Sequence, residues 1–136
     1  MCCCGKSSLF TRNASSQLLA IGDTIDTGIT ILKTGNGIYH CGNGIVINGD
    51  GNYRILASVT AAPTGAGTIT VTAYENGIAI PSATASATAG AGEQVALPIV
   101  TSVTHYCPKN SRSVITFVVT GAAGTVSNIS VDVEKI

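Results

Sequence analysis

The sequence predicts an all-β domain, a two-sheet antiparallel sandwich of about ten strands, and three observations carry that expectation. Short apolar segments recur from Leu18 onward, separated by clusters of Gly, Asn, Asp and Pro, and no useful length keeps a helical 3.6-residue period. Several of these segments alternate apolar and polar residues with the period of two that half-buried strands require. The hydrophobic residues, 45% of the chain, are mostly Ala, Val and Ile, with no Trp and 2 Phe among 136 residues, so packing relies on small and β-branched side chains that suit a pleated sheet.

In chain order the expected strands cover residues 18–21, 28–33, 38–41, 44–47, 53–61, 68–74, 78–89, 94–104, 113–120 and 128–134. Gly35-Asn36-Gly37 and Gly42-Asn43-Gly44 supply positive-φ corners between the short early strands. Asn48-Gly49-Asp50-Gly51-Asn52 begins like a calcium loop. Its sixth and twelfth positions are Tyr53 and Val59, where such a loop needs Gly and Glu, so a turn is the reading and calcium the alternative. Thr68, Thr70 and Thr72 oppose Ile69, Val71 and Ala73 across one strand. Glu75-Asn76-Gly77 then marks a hairpin, because Asn and Gly both tolerate positive φ. Residues 83–92 alternate Ala with Thr or Ser before a Gly-rich turn.

The strand at 113–120 places Ile115, Phe117 and Val119 on one face and Val114 and Val118 on the other, so both faces ask to be buried. A sandwich covers only one of them, and the other is expected to meet another subunit. In the last strand, Ile129, Val131 and Val133 face the core while Asn128, Ser130, Asp132 and Glu134 face water.

Residues 1–17 differ in character and are read as an N-terminal arm preceding the sandwich at 18–136. Three cysteines, Cys2, Cys3 and Cys4, are followed by polar residues around one apolar pair, Leu9-Phe10. Such a segment is too polar to add much to a core, and its apolar pair suits an anchor that orders on binding a larger assembly. Three consecutive thiols are an oxidation liability unless used, for interchain disulfides, soft-metal binding or acylation; a reducing habitat that tolerates them is the plain alternative. No apolar leader of the secretory kind opens the chain, so the sequons at Asn13 and Asn128 are read as chance matches.

Charge and composition narrow the function. Charged residues are 10% of the chain against about 25% in an ordinary globular protein, and 7 basic residues balance 7 acidic ones. Nucleic-acid binding needs a basic excess that is absent here. No apolar run approaches the roughly 18 residues that span a bilayer, so no membrane role is expected. A surface this poor in charge is expected to be covered in part by partners.

Catalysis and cofactors find little purchase. The acidic residues mostly fall at turns or solvent faces, and no Gly-x-Ser-x-Gly elbow occurs. Gly5-Lys6-Ser7 lacks the earlier Gly of a phosphate loop. His40, Cys41, His105 and Cys107 would make a two-Cys, two-His metal set only if they converged. Adjacent His40 and Cys41 point to opposite faces of a strand, so His105 and Cys107 are read as structural or surface residues, with no metal and no cofactor.

The middle and end of the chain resemble C1q/tumour-necrosis-factor-type jelly rolls. The resemblance rests on the Gly51-Asn52-Tyr53 entry to a long strand, the run from Gly67 to Pro81 with its Asn76-Gly77 hairpin, and the closing strand from Val126 to Ile136. It spans residues 38–136 and departs from animal members in its few aromatics and the lack of a collagen-like stalk. It implies a C1q/TNF-like two-sheet antiparallel jelly roll that associates as a homotrimer around an apolar axis. Small Ala- and Thr-rich versions resemble bacteriophage virion proteins (head fibres, capsid decorations, receptor-binding tips) and surface proteins of Gram-positive bacteria and spores.

The expectation is therefore a non-enzymatic structural trimer of a phage virion, assembled in the host cytoplasm and attached to capsid or other virion proteins by Cys2, Cys3, Cys4, Leu9 and Phe10. The alternative is an adhesion module of a phage tip or bacterial spore surface, recognising a glycan or receptor through loops bearing Tyr39, Tyr106, Lys109 and Arg112. The trimer interface is assigned to Val114 and Val118 together with Tyr53 and Leu56.

Overall fold

Alternation along the strands decides which side chains meet in the interior, and it is sustained through most of the chain. The computed structural model describes residues 6–105 and 112–136. Among them run eleven strands: β1 (Ser8–Asn13), β2 (Gln17–Leu19), β3 (Ile29–Thr34), β4 (Ile38–Cys41), β5 (Gly44–Ile47), β6 (Gly51–Pro63), β7 (Gly67–Glu75), β8 (Ile78–Ala89), β9 (Val95–His105), β10 (Ser113–Val119) and β11 (Gly124–Lys135). They form two antiparallel sheets, one ordered β3-β1-β11-β6-β9 with β2 also paired to β11, the other β4-β5-β10-β7-β8. Residues 22–25 lie along β10 as well: the Gly22 N–H donates to the Val119 carbonyl at 2.7 Å and the Ile25 N–H to that of Phe117 at 2.8 Å.

The core lies between the sheets. β6 turns Tyr53, Ile55, Ala57 and Val59 inward and Arg54, Leu56 and Ser58 outward. Opposite it, β10 supplies Ile115, Phe117 and Val119, all fully buried. In β11 the parity slips at a bulge between Val126 and Asn128, which turns Val126 inward before the slip and Ile129, Val131 and Val133 inward after it. That bulge explains why alternation in the sequence is clean only from Asn128 on. The hairpin at Asn76-Gly77 forms as expected, with φ of 52° and 81°.

Two expectations are corrected. From Ser8 the presumed arm is strand β1, an interior strand of its sheet, hydrogen-bonded to β11 on one side and β3 on the other. Leu9 is a core residue. The polar residues that argued against this are the outward half of a strand: Ser8 and Arg12 alternate with Leu9 and Thr11. A strand held on both edges by backbone bonds needs few apolar side chains of its own. Tyr53 is also no interface residue. At 0% exposure it is a core residue, and strand parity puts it on the opposite side of β6 from Leu56.

Candidate interaction surfaces

The outer face of the six-stranded sheet carries the most unusual chemistry. Strand register lines up one transverse row, Leu32, Phe10, Asp132, Leu56 and Val100, across β3, β1, β11, β6 and β9. Its residues are directly opposed cross-strand neighbours, within contact range of one another. Leu32 is 68% exposed, Val100 66% and Leu56 37%, and half-buried Phe10 joins them on the same face. Phe10, Leu56, Pro98 and Val100 line a shallow groove of about 330 Å³ along this row, with Ser58, Ser130 and Asp132 as its polar members.

One flanking row is polar and the other is mixed, with exposed Ile29 beside Arg12 at one end and Pro98 at the other. On one side Ser8, Glu134, Arg54 and Ser102 are aligned, and Arg54 Nη2 lies 3.4 Å from Glu134 Oε2. On the other lie Arg12, Ser130, Ser58 and Pro98. Asp132 is the one carboxylate within the apolar row. Partial burial raises its pKa, nearby Glu134 raises it further, and Arg54 opposes the shift.

The five-stranded sheet presents the opposite character. Thr68 bonds Thr88 at 2.8 Å, Thr70 bonds Ser86 at 3.2 Å, and Thr72 bonds both Thr84 at 2.9 Å and Thr120 at 3.1 Å. These hydroxyls satisfy one another along β7, β8 and Thr120, so this part of the face asks for no partner. Val114 and Val118 do point outward on this sheet, half-buried among neighbours of their own chain. Val118 is bridged by Thr24 and shares with Tyr74, Thr116 and Ile21 an open groove of about 470 Å³. The four residues assigned to one trimer interface are therefore scattered: Leu56 on one outer face, Val114 and Val118 on the other, Tyr53 between the sheets.

At the loop end, Arg112 Nη1 donates to the Tyr39 hydroxyl at 2.9 Å, an exposed contact that raises the arginine pKa further. Tyr106 and Lys109 lie outside the described residues, as do Cys107, Cys2, Cys3 and Cys4. His40 Nε2 sits 2.6 Å from the Thr27 hydroxyl, while His105, buried, is 2.9 Å through Nδ1 from the Gly49 carbonyl. Each imidazole is thus held by its own local partner. Cys41, next to His40 on β4, is exposed. Among the described residues no helix is long and apolar enough to cross a membrane.

Sequence reasoning placed Phe10 in an arm and passed over Leu32, Val100 and Asp132. The row they form depends on cross-strand register between strands distant in sequence, and no local pattern encodes that register.

No family model and no curated protein matches the sequence. Solved structures do match in fold. Murine APRIL at pH 5.0 superposes with a TM-score of 0.73 at 10% identity, over 97% of this chain and 100% of that one. The vertex protein P5 of PRD1 gives 0.56 at 17% identity, covering 96% of each chain. Eiger TNF from S. frugiperda gives 0.63 at 6% identity, over 96% of this chain and 91% of that one. At these identities the likeness is one of fold: the chain is a TNF-like jelly roll.

Proposed function

We propose that the chain is a non-enzymatic structural protein of a phage virion, a homotrimer whose subunits meet through the outer face of the six-stranded sheet. The observation that carries this is the apolar row of exposed Leu32, Leu56 and Val100 with half-buried Phe10 among them, which a free monomer would leave facing water. Its occupant is another copy of the chain. The flanking row carries both an Arg and a Glu, so copies bring balanced charge to one another, and the resemblance to TNF-type jelly rolls implies a trimer about an apolar axis. The virion setting is supported by the likeness to the PRD1 vertex protein.

Sedimentation equilibrium and light scattering test the reading. Three chains are expected, Leu56→Glu should dissociate them, and Val118→Lys should leave them together. A stable monomer at micromolar concentration overturns the trimer. A trimer that survives Leu56→Glu and fails with Val118→Lys moves the interface to the other sheet. Detection of the protein by mass spectrometry in purified virions tests the setting.

With Leu9 taken by the core and Phe10 by the sheet face, the attachment role passes to the first residues, Cys2, Cys3 and Cys4 among them. Deleting residues 1–5 should leave the trimer folded and abolish its incorporation into the particle. A second reading, recognition of a host glycan or receptor, is favoured by the exposed Arg112–Tyr39 contact at the loop end. Arg112→Ala should then weaken cell binding without changing assembly.

A further inference from the structure

Resting on the trimer reading above, we infer that Asp132 makes assembly through this face take up protons, so that the trimer tightens as the medium becomes more acidic. The geometry is the middle position of the row. Asp132 sits on β11 with Phe10 directly opposite on β1 and Leu56 directly opposite on β6, and Leu32 and Val100 beyond them. A copy docked on the four apolar residues covers the carboxylate they bracket. Removing an ionised carboxylate from water is costly unless it is paired, and the cheaper outcome is protonation.

The groups that share its face offer little relief. Glu134, on the same strand, repels the charge. Arg54 on β6 is the nearest cation, and its guanidinium is engaged with Glu134 at 3.4 Å. Arg12 stands on β1 one face position from Phe10, in register with Ser130, and Lys33 belongs to β3 beyond β1. Described β9 brings no acidic or basic side chain to this face. In the free chain the carboxyl pKa already stands above its ordinary value, first through burial and then through Glu134. Covering the row extends the larger of those two causes.

The sign follows. A group whose pKa is higher in the assembly than in the free chain favours assembly fully below the free-chain pKa, and that contribution is lost as pH rises through the assembled pKa. Each chain takes up to one proton from solvent at Asp132 on docking. Between the two pKa values the association constant should fall by up to about tenfold per pH unit for each carboxyl involved.

The test is sedimentation equilibrium of the full chain between mildly acidic and mildly alkaline pH, for the wild type, Asp132→Asn, Glu134→Gln and Leu56→Glu. The wild type should associate more tightly as pH falls. Asp132→Asn should associate at least as tightly at neutral pH and lose most of the dependence, and Glu134→Gln, which removes the like charge and frees Arg54 to face Asp132, should weaken it. Equal pH slopes for wild type and Asp132→Asn overturn the inference while leaving the trimer standing. A trimer that loosens on acidification also overturns it, since a neighbour's arginine would then be pairing with the carboxylate. Persistence of the trimer in Leu56→Glu removes the face itself, and the inference with it. Carboxyl-carbon NMR titration of Asp132, in chains whose changes bring no charge near it, is the second measurement. The midpoint should lie higher in the assembled wild type than in the dissociated double variant Leu32→Ser, Val100→Ser, and equal midpoints overturn the proposal.

Discussion

Leu9 and Phe10 are neighbours in sequence with opposite duties, and single substitutions should separate them. Leu9, 1% exposed, packs in the core, so Leu9→Ala should lower unfolding stability by about 2–5 kcal/mol in a urea titration. Phe10 faces the apolar row, so Phe10→Ser should lower the urea midpoint less than Leu9→Ala does while weakening association in sedimentation. His105 belongs with Leu9. Its buried imidazole faces the Gly49 carbonyl at 2.9 Å, and His105→Leu, which strips that carbonyl of its partner, should cost about 1–3 kcal/mol. At the residue scale the sequence was a fair guide to Asp132 as an outward side chain and a poor one to its surroundings. Alternation within β11 gives its face. The apolar residues around it come from β1, β3, β6 and β9, and only the folded register brings them there.

At the level of strands, ten of the eleven were legible because each carries its own alternation or turn punctuation. β1 was not, since Leu9 and Thr11 are its only inward side chains and its stability comes from backbone bonds to strands at both edges. β11 was legible from Asn128 and hidden before it, where the bulge reverses the parity. Two glycines probe how these elements are joined. Gly77 holds φ of +81° in the hairpin with open space around it, so Gly77→Ala should cost about 1–2 kcal/mol through backbone strain alone. Gly124 opens β11 where an added Cβ would meet the Ala62 carbonyl and lie 2.6 Å from Ile69 Cδ1. Gly124→Ala should therefore cost about 1–3 kcal/mol by overpacking, with the urea midpoint as the readout.

For the whole molecule, the contrast between its two outer faces is the main functional clue: mutually bonded hydroxyls on one sheet, a bare apolar row on the other. The sandwich itself was legible in the sequence, and the choice of face was not, because Val114 and Val118 looked doubly apolar locally while the real row is assembled from five separated strands. Deleting residues 1–17 should accordingly destroy the fold, whereas deleting residues 1–5 should spare it, a difference that thermal melts followed by circular dichroism will register. The seat of β1 against β11 has one more consequence, which concerns synthesis. Ser8 pairs with Glu134 and Asn13 with Ile129, so the first strand made waits for the last before its sheet can close. Until then β1 and β6, the strands on either side of β11, have no bridge between them. Long-range closure of this kind is entropically late and slow. Ribosome-bound chains arrested before β11 emerges should be digested readily by protease, and chains extended far enough to release it should resist, because the strands of this sandwich stay uncovered until β11 pairs with β1.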